Sequence, residues 1–393
     1  MANAILPPAH TLSLSDLAPR VLQSEIRAMT MECDRMGGVN LAQGVCDTEV
    51  PAPVAEAAIA AIREGHNIYT RLDGIARLRN AIAAQLQKDR GLTVDPDREI
   101  LVASGATGAF HAAAMALLNP GDEVILFEPF YGYHANTLAS MRVNPVIVPL
   151  AAPDWALDFD ALRAAITPRT RAIVINTPAN PSGKVFSLTE LEVLATIALD
   201  NELFLITDEI YEYFLYGNAP HISPAALASI RERTILTSGF SKTFAITGWR
   251  LGYLVADPKW LPAINYFHDL TYVCAPSAFQ HGAAAGLEQL GPDFFQGLSR
   301  DFQSKRDRLV AALQDAGLMP HIPQGAYYIL ADSTRIPGKN AFEKSRTLLA
   351  RTGVASVAGS AFFRPGGGEN LLRFCFAKKD ADLDEACKRL REF

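Results

Sequence analysis

Lys242 closes the run Ser238-Gly239-Phe240-Ser241-Lys242, directly after the apolar segment 234–237. An amine at the inner end of a buried strand is costly to keep charged. The same burial lowers its pKa and frees it as a nucleophile. The competing reading is a surface lysine in a loop. Asp208 follows a second apolar run, 203–207, and opens Asp208-Glu209-Ile210-Tyr211. In open α/β sheets a carboxylate at the carboxyl end of a strand is placed to meet a ligand. The alternative there is a helix N-cap. Arg250 stands in Gly248-Trp249-Arg250-Leu251-Gly252 and offers a planar fork of donors suited to phosphate. A solvated arginine or a structural ion pair is the plainer account of it.

Three further segments sit at predicted strand ends. The run Ser104-Gly105-Ala106-Thr107-Gly108-Ala109 follows a predicted strand and opens a helix, where glycines let backbone N–H groups approach an anion; a plain strand–turn–helix connection is the simpler account of this run. It is neither a GxGxxG fingerprint nor a Walker A loop. Asn176-Thr177-Pro178-Ala179-Asn180-Pro181 is a turn stiffened by two X-Pro bonds, either of which is open to the cis form, and it presents Asn180. Glu128-Pro129-Phe130-Tyr131 brings an aromatic face to the same edge, unless Tyr131 is core packing. A planar, cationic, phosphorylated ring would require this set: aromatic, amide, carboxylate, lysine, arginine and a helix start.

The elements that must hold these residues are short apolar runs alternating with helical stretches. The segments 99–103, 123–127, 145–148, 172–176, 203–207, 234–237 and 251–255 are rich in Val, Ile and Leu with little in–out alternation. Strands covered on both faces read this way. Helical patterns lie at 108–118, 159–165 and 188–200. The alternation predicts an α/β domain with a large, mainly parallel sheet over residues 45–283. Residues 284–317 read as a long helix interrupted near Gly291-Pro292, followed by strands at 326–331, 354–357 and 371–376. A last helix starts near Asp380, with Asp382 and Asp384 early and Lys388 and Arg389 late, matching the helix dipole. Residues 284–393 are thus expected to form a smaller α+β domain. Residues 1–44 are expected to supply an N-terminal arm, extended around Pro7 and Pro8 before the first helix, and part of this smaller domain, or to reach onto a partner subunit.

The 393 residues suit two domains rather than one core, and 49% apolar with 20% charged residues is a globular profile. A net charge of −6 and a pI near 5.8 give no reason to expect nucleic acid. The five cysteines, Cys33, Cys46, Cys274, Cys375 and Cys387, are scattered and odd in number, so neither a disulfide framework nor a metal site is expected. No signal sequence or apolar span of membrane length is evident, which leads to the expectation of a cytoplasmic protein.

The motifs, in order and spacing, resemble the fold-type I pyridoxal 5′-phosphate enzymes, specifically the class I/II aminotransferases. They are Y-T-x-x-x-G at 69–74, SGATGA at 104–109, EPFY at 128–131, NTPANPSG at 176–183, TDEIY at 207–211, SGFSK at 238–242, GWRLG at 248–252 and LLRFCFA at 371–377. The C-terminal run is most similar to the kynurenine and glutamine transaminase branch. The resemblance implies that Lys242 carries the cofactor as an aldimine and moves a proton between substrate and cofactor. It implies that Asp208 pairs with the pyridinium nitrogen, that Tyr211 and Asn180 bond the ring oxygen, and that Tyr131 stacks on the ring. Arg250, Ser241, Ser238 and the Ala106–Thr107 backbone would hold the phosphate. Tyr69 would reach the phosphate of a neighbouring subunit, which implies a homodimer. Arg373 would grip the substrate carboxylate, helped by Asn180 and the Gly44 backbone. The substrates implied are an α-amino acid and a 2-oxo acid.

Two departures stand out. Gly239 occupies the position where several family members have a phosphate-binding serine, leaving Ser238 as the substitute. The segment Gln43-Gly44-Val45-Cys46-Asp47-Thr48 replaces a common G-x-P-D-F. Amino-group transfer is the leading expectation. The same lysine, aspartate and arginine would also serve a cysteine-S-conjugate β-lyase. A non-catalytic regulator on this fold would need a DNA-binding domain before the α/β region, where the 44 residues present are not basic. A hydride-transfer enzyme lacks its dinucleotide fingerprint here. Tyr327, Tyr328, Phe362 and Phe363, with no evident second arginine, lean toward neutral, aromatic or sulfur-containing donors.

Overall fold

A computed structural model describes residues 12–18, 25–217 and 220–393. Pro7 and Pro8, with the arm expected around them, lie outside this set. The described chain begins with helix α1 (Glu25–Arg35), a short strand β1 (Val39–Asn40) and helices α2 (Ala52–Arg63) and α3 (Ala76–Arg90). Strands and helices then alternate: β2 (Ile100–Ala103), α4 (Gly105–Leu117), β3 (Glu123–Glu128), α5 (Gly132–Ser140), β4 (Asn144–Ala151), β5 (Ala156–Leu157), α6 (Phe159–Ala164), β6 (Thr170–Asn176), α7 (Leu188–Asp200) and β7 (Phe204–Asp208). Next come β8 (Thr234–Gly239), β9 (Gly252–Val255), α8 (Leu261–Tyr272) and α9 (Ser277–Gln289). The chain ends with α10 (Pro292–Asp315), β10 (Met319–His321), β11 (Tyr328–Asp332), α11 (Ala341–Thr352), β12 (Val354–Ala355), β13 (Val357–Ala358), β14 (Leu371–Cys375) and α12 (Asp380–Arg391).

Eight strands form one sheet in the order β2-β9-β8-β7-β6-β3-β4-β5. Every residue of β2, β3, β7, β8 and β9 is buried, which is why their sequences show no alternation. Strands β4, β3, β6, β7 and β8 run parallel, while β9 is antiparallel to both β8 and β2. The fold is therefore the fold-type I architecture, a large mainly parallel sheet with a smaller α+β part. The expected bounds of α7 coincide with the observed ones because Ser187 and Glu190 form a reciprocal capping box.

The smaller part is a four-stranded antiparallel sheet, β10-β11-β14-β13, with β1 pairing β12 in parallel beside it. Helix α11 and strand β10 were not anticipated. The signals for α11 were present: Asn340 caps the amide of Glu343, and Gly353 ends the helix at φ +69°. Helix α9 ends at Gln289 and α10 begins at Pro292, so the long helical stretch is interrupted at Gly291-Pro292 as expected. No helix among the described residues is long and apolar enough to cross a membrane.

Candidate active site

The sheet order explains how the chemistry-bearing residues meet. Strands β2, β9, β8, β7, β6 and β3 are consecutive neighbours. The carboxyl ends of β8, β7, β6 and β3 lead into Lys242, Asp208, Asn180 and Tyr131, and that of β2 into Ala106 and Thr107. Arg250 arrives differently. It precedes β9, and because β9 is antiparallel, Gly252 lies opposite both Ala103 and Gly239. The start of that strand therefore shares an edge with the ends of its neighbours.

Asp208 is buried at the end of β7. Its side chain accepts from the Ile210 amide at 3.3 Å, an Asx turn rather than a helix cap. The other carboxylate oxygen lies 3.1 Å from His134 Nε2. A carboxylate only accepts, so His134 donates. The His134 ring stands edge-on to Tyr131 at 5.2 Å between centroids. His134 was not singled out from the sequence, although it stands three residues after Tyr131 in the same turn and helix.

Lys242 extends toward the second sheet. Its Nζ donates to the Gly44 carbonyl at 3.4 Å and lies 5.8 Å from the centre of the Tyr327 ring. Burial pushes this amine below the usual lysine range. Tyr327 donates to the same Gly44 carbonyl at 3.1 Å. A Cβ on Gly44 would fall 2.1 Å from the Tyr328 hydroxyl, so this position tolerates only glycine. Tyr328 and Tyr211 share a hydrogen bond of 3.0 Å, and burial raises the Tyr211 hydroxyl well above its ordinary value.

Arg373 sits within β14, across from Leu330 and Val357, and is 2% exposed. Its guanidinium lies between the rings of Tyr328 (4.4 Å) and Phe362 (4.7 Å). It donates to Asn180 Oδ1 at 3.1 Å and to the Ala42 carbonyl at 2.7 Å, while its Nε has no partner. No carboxylate among the described residues pairs with it. A buried, unneutralised guanidinium is costly unless an anion joins it. Arg373 and Lys242 are thus anchored to one stretch of backbone, residues 42–44.

A second anion position lies at the start of α4. Ser104 makes no side-chain cap there, and its amide donates to His268 Nε2 at 3.2 Å. Arg250, in left-handed backbone conformation at φ +54°, packs its guanidinium over Gly105. A Cβ on Gly105 would meet Arg250 Nη2 at 2.7 Å, and one on Gly252 would meet the Ala106 nitrogen at 2.5 Å. The two glycines let an arginine and a strand close on a helix N-terminus. Arg250 also lacks a carboxylate partner among the described residues. Ser241 is buried in the turn just before Lys242. The donor set fits a phosphorylated ring: a helix start with Arg250 at one end, a carboxylate at the other, and an amine between.

Ser238 does not join this group. Its hydroxyl donates to Glu212 Oε1 at 2.9 Å and to the Glu209 carbonyl at 3.3 Å, on the opposite face of β8. The expected substitution of Ser238 for the absent serine at 239 is corrected: successive strand residues face opposite sides. Tyr69 is 77% exposed and touches none of these residues.

The sequence matches the family described as aminotransferase class I and II over residues 37–390. A probable N-succinyldiaminopimelate aminotransferase of Mycobacterium tuberculosis is 38% identical over 92% of this chain and 94% of its own length. The solved structure of that enzyme superposes with a TM-score of 0.93 at 36% identity, covering 97% of this chain and 100% of the other. The methionine aminotransferase of Escherichia coli is 33% identical over 90% of this chain and 92% of its own. A mouse kynurenine–oxoglutarate transaminase, at 32% over 88% and 83%, is one relative among several kinds, so the similarity does not single out that branch.

Proposed function

This chain belongs to the class I and II aminotransferases and moves an amino group from an α-amino acid to a 2-oxo acid, and on that premise we propose how its residues do so. The observation that carries the reading is Arg373, buried without a carboxylate and tied through residues 42–44 to the Lys242 amine. Elimination of a β-substituent is not favoured, since the relatives described are aminotransferases.

The cofactor is pyridoxal 5′-phosphate, which when bound supplies an electron-poor ring able to take up the charge left as the substrate loses its α-proton. Lys242 would hold it covalently through its ε-amine, and that amine is the base that would move the proton. Burial lowers the pKa of this amine and so favours its neutral, nucleophilic form. Asp208, braced by His134, would pair with the ring nitrogen. Tyr211 and the Asn180 amide would bond the ring oxygen, and Tyr131 would stack on the ring. Arg250, Ser241 and the amides of Ala106 and Thr107 would hold the phosphate. Arg373 binds the substrate carboxylate as a planar fork, with Asn180 and the Gly44 backbone beside it. Residues 45–283 hold the cofactor, and 284–393 with part of 1–44 bring Arg373 to it. Tyr69 serves a phosphate in a second copy of the chain, so the working unit is a homodimer. The rings of Tyr328 and Phe362 against the Arg373 guanidinium favour neutral, aromatic or sulfur-containing donors.

The test is absorbance with product analysis. Protein saturated with the cofactor should absorb as a lysine-bound form, lose that absorbance in Lys242→Ala, and convert amino donor to oxo acid only with an acceptor present. Full transaminase turnover by Lys242→Ala would overturn the reading.

A further inference from the structure

Behind the turn that carries Asp208 and Tyr211 lies a buried cluster of charge that plays no part in the chemistry above. Residues 208 and 211 face the site, while Glu209 and Glu212 point the other way and are 0% and 6% exposed. Arg90, the last residue of α3, enters between the two glutamates. Its guanidinium donates to Glu209 Oε2 at 2.9 Å and pairs through its other terminal nitrogen with Glu212 Oε2.

The rest of the cluster completes both carboxylates. Glu209 also accepts from Thr207 (2.8 Å), Ser223 (2.8 Å) and His221 Nε2 (2.7 Å). Glu212 accepts from Ser238 on β8, four residues before Lys242. Asp89, Tyr213 and Tyr253 are the remaining titratable groups around Arg90; Tyr213 donates to Asp89 at 2.6 Å. Burial raises the Glu209 carboxyl, but Arg90 and then His221 outweigh it and hold the group below its ordinary value. A buried network in which both carboxylates are satisfied is stiff, because any displacement strands a charge.

The geometry points to Arg90 as a positioning residue: by forking between Glu209 and Glu212 it fixes, from behind, the turn that presents Asp208 and Tyr211 to the cofactor. The inference rests on the function proposed above. A single guanidinium spans two carboxylates that are three residues apart, so it sets the pitch of the turn as well as its place. A compact ammonium cannot fork in this way.

The experiment compares wild type, Arg90→Lys and Glu212→Gln, each loaded with pyridoxal 5′-phosphate. Glu212→Gln is nearly isosteric and keeps an acceptor for Ser238, so it serves even if Arg90→Lys does not fold. Each folded variant should show kcat lowered on the order of tenfold, with the KM for amino donor moved less, as expected for misplaced catalytic groups. Each should also shift the pH midpoint of the bound cofactor's absorbance by about half a unit or more, because the groups facing the ring have moved. Variants that bind the cofactor, keep that midpoint within about 0.1 unit and keep kcat within about twofold, whatever their melting temperature, would show that Arg90 serves the fold alone. A wild type that shows no bound-cofactor absorbance would instead overturn the proposed function, since Arg90 takes no part in attachment.

Discussion

His134 donates to Asp208 across 74 residues of sequence, and both side chains are buried where the Tyr131 ring stands perpendicular to the imidazole. The contact ties the carboxylate at the end of β7 to the turn after β3. Replacing His134 with Phe keeps the ring against Phe110 and Tyr131 but leaves one Asp208 oxygen without a donor. We expect kcat to fall about tenfold, the cost of one lost charge-assisted hydrogen bond. Steady-state kinetics with the cofactor saturating checks this, and unchanged kcat would remove His134 from the site.

Arg373→Lys should lower kcat/KM for the amino donor by about 100-fold or more, because an ammonium cannot match a carboxylate with two parallel bonds. Cofactor affinity should stay the same, since Arg373 contacts Asn180, Ala42 and two rings rather than the α4 phosphate position. Titration of the apoprotein with cofactor, beside substrate kinetics, separates the two effects.

Arg364 joins the smaller sheet's connection to the turn before Tyr131. Its backbone amide donates to Glu128 Oε1 at 2.5 Å and its Nη2 to Oε2 at 3.1 Å. Glu128 is buried but Arg364 is half exposed, so solvent screening limits the loss. Arg364→Ala should cost about 1–2 kcal/mol of stability by stranding a buried carboxylate, and adding Glu128→Gln should recover part of it. Urea denaturation of the two variants decides; a double variant weaker than the single would contradict the pairing.

Burial holds the His268 imidazole down to about 4 from an ordinary 6.5, and its Nε2 accepts from the Ser104 amide. The unfolded chain therefore binds a proton at His268 that the folded one refuses. Stability from this group is complete above about pH 6.5 and is lost as pH falls toward 4. His268→Gln, whose amide oxygen still accepts, should flatten the slope of unfolding free energy across that window. An identical slope in the variant would show that the acid loss comes from groups other than His268.

Gly252→Ala should be among the more damaging small changes. Its Cβ would meet the Ala106 nitrogen at 2.5 Å and the Ser238 carbonyl at 2.8 Å, both backbone. Strand β9 must then move off α4, carrying Arg250 with it. We expect a loss of stability of about 1–3 kcal/mol together with weaker cofactor retention on dialysis.

Much of this was legible beforehand. The two-sided burial of β2, β3, β7, β8 and β9 leaves unbroken apolar runs, so the strand ends and the residues just past them could be placed. Ser238 was misplaced because one step along β8 turns a side chain to the other face, and apolar runs covered on both sides carry no mark of which face is which. His134 was passed over because a single buried histidine in a helix reads as core until its partner is known. Arg90 reads as a helix-ending cation before Gly91, which it also is.

The sequence by itself determined the chemical inventory: an amine, a carboxylate, two arginines and a helix start, in the order and spacing of one family. Those are local facts, carried by motifs of a few residues each. Only the tertiary structure decided that Arg373 is buried without a carboxylate, that Arg250 reaches the site from the start of an antiparallel strand, and that Glu209 and Glu212 turn their backs on it toward Arg90. Those depend on strand order and on contacts between residues more than a hundred positions apart, and such contacts are set by how whole elements pack, not by the spacing of neighbours along the chain.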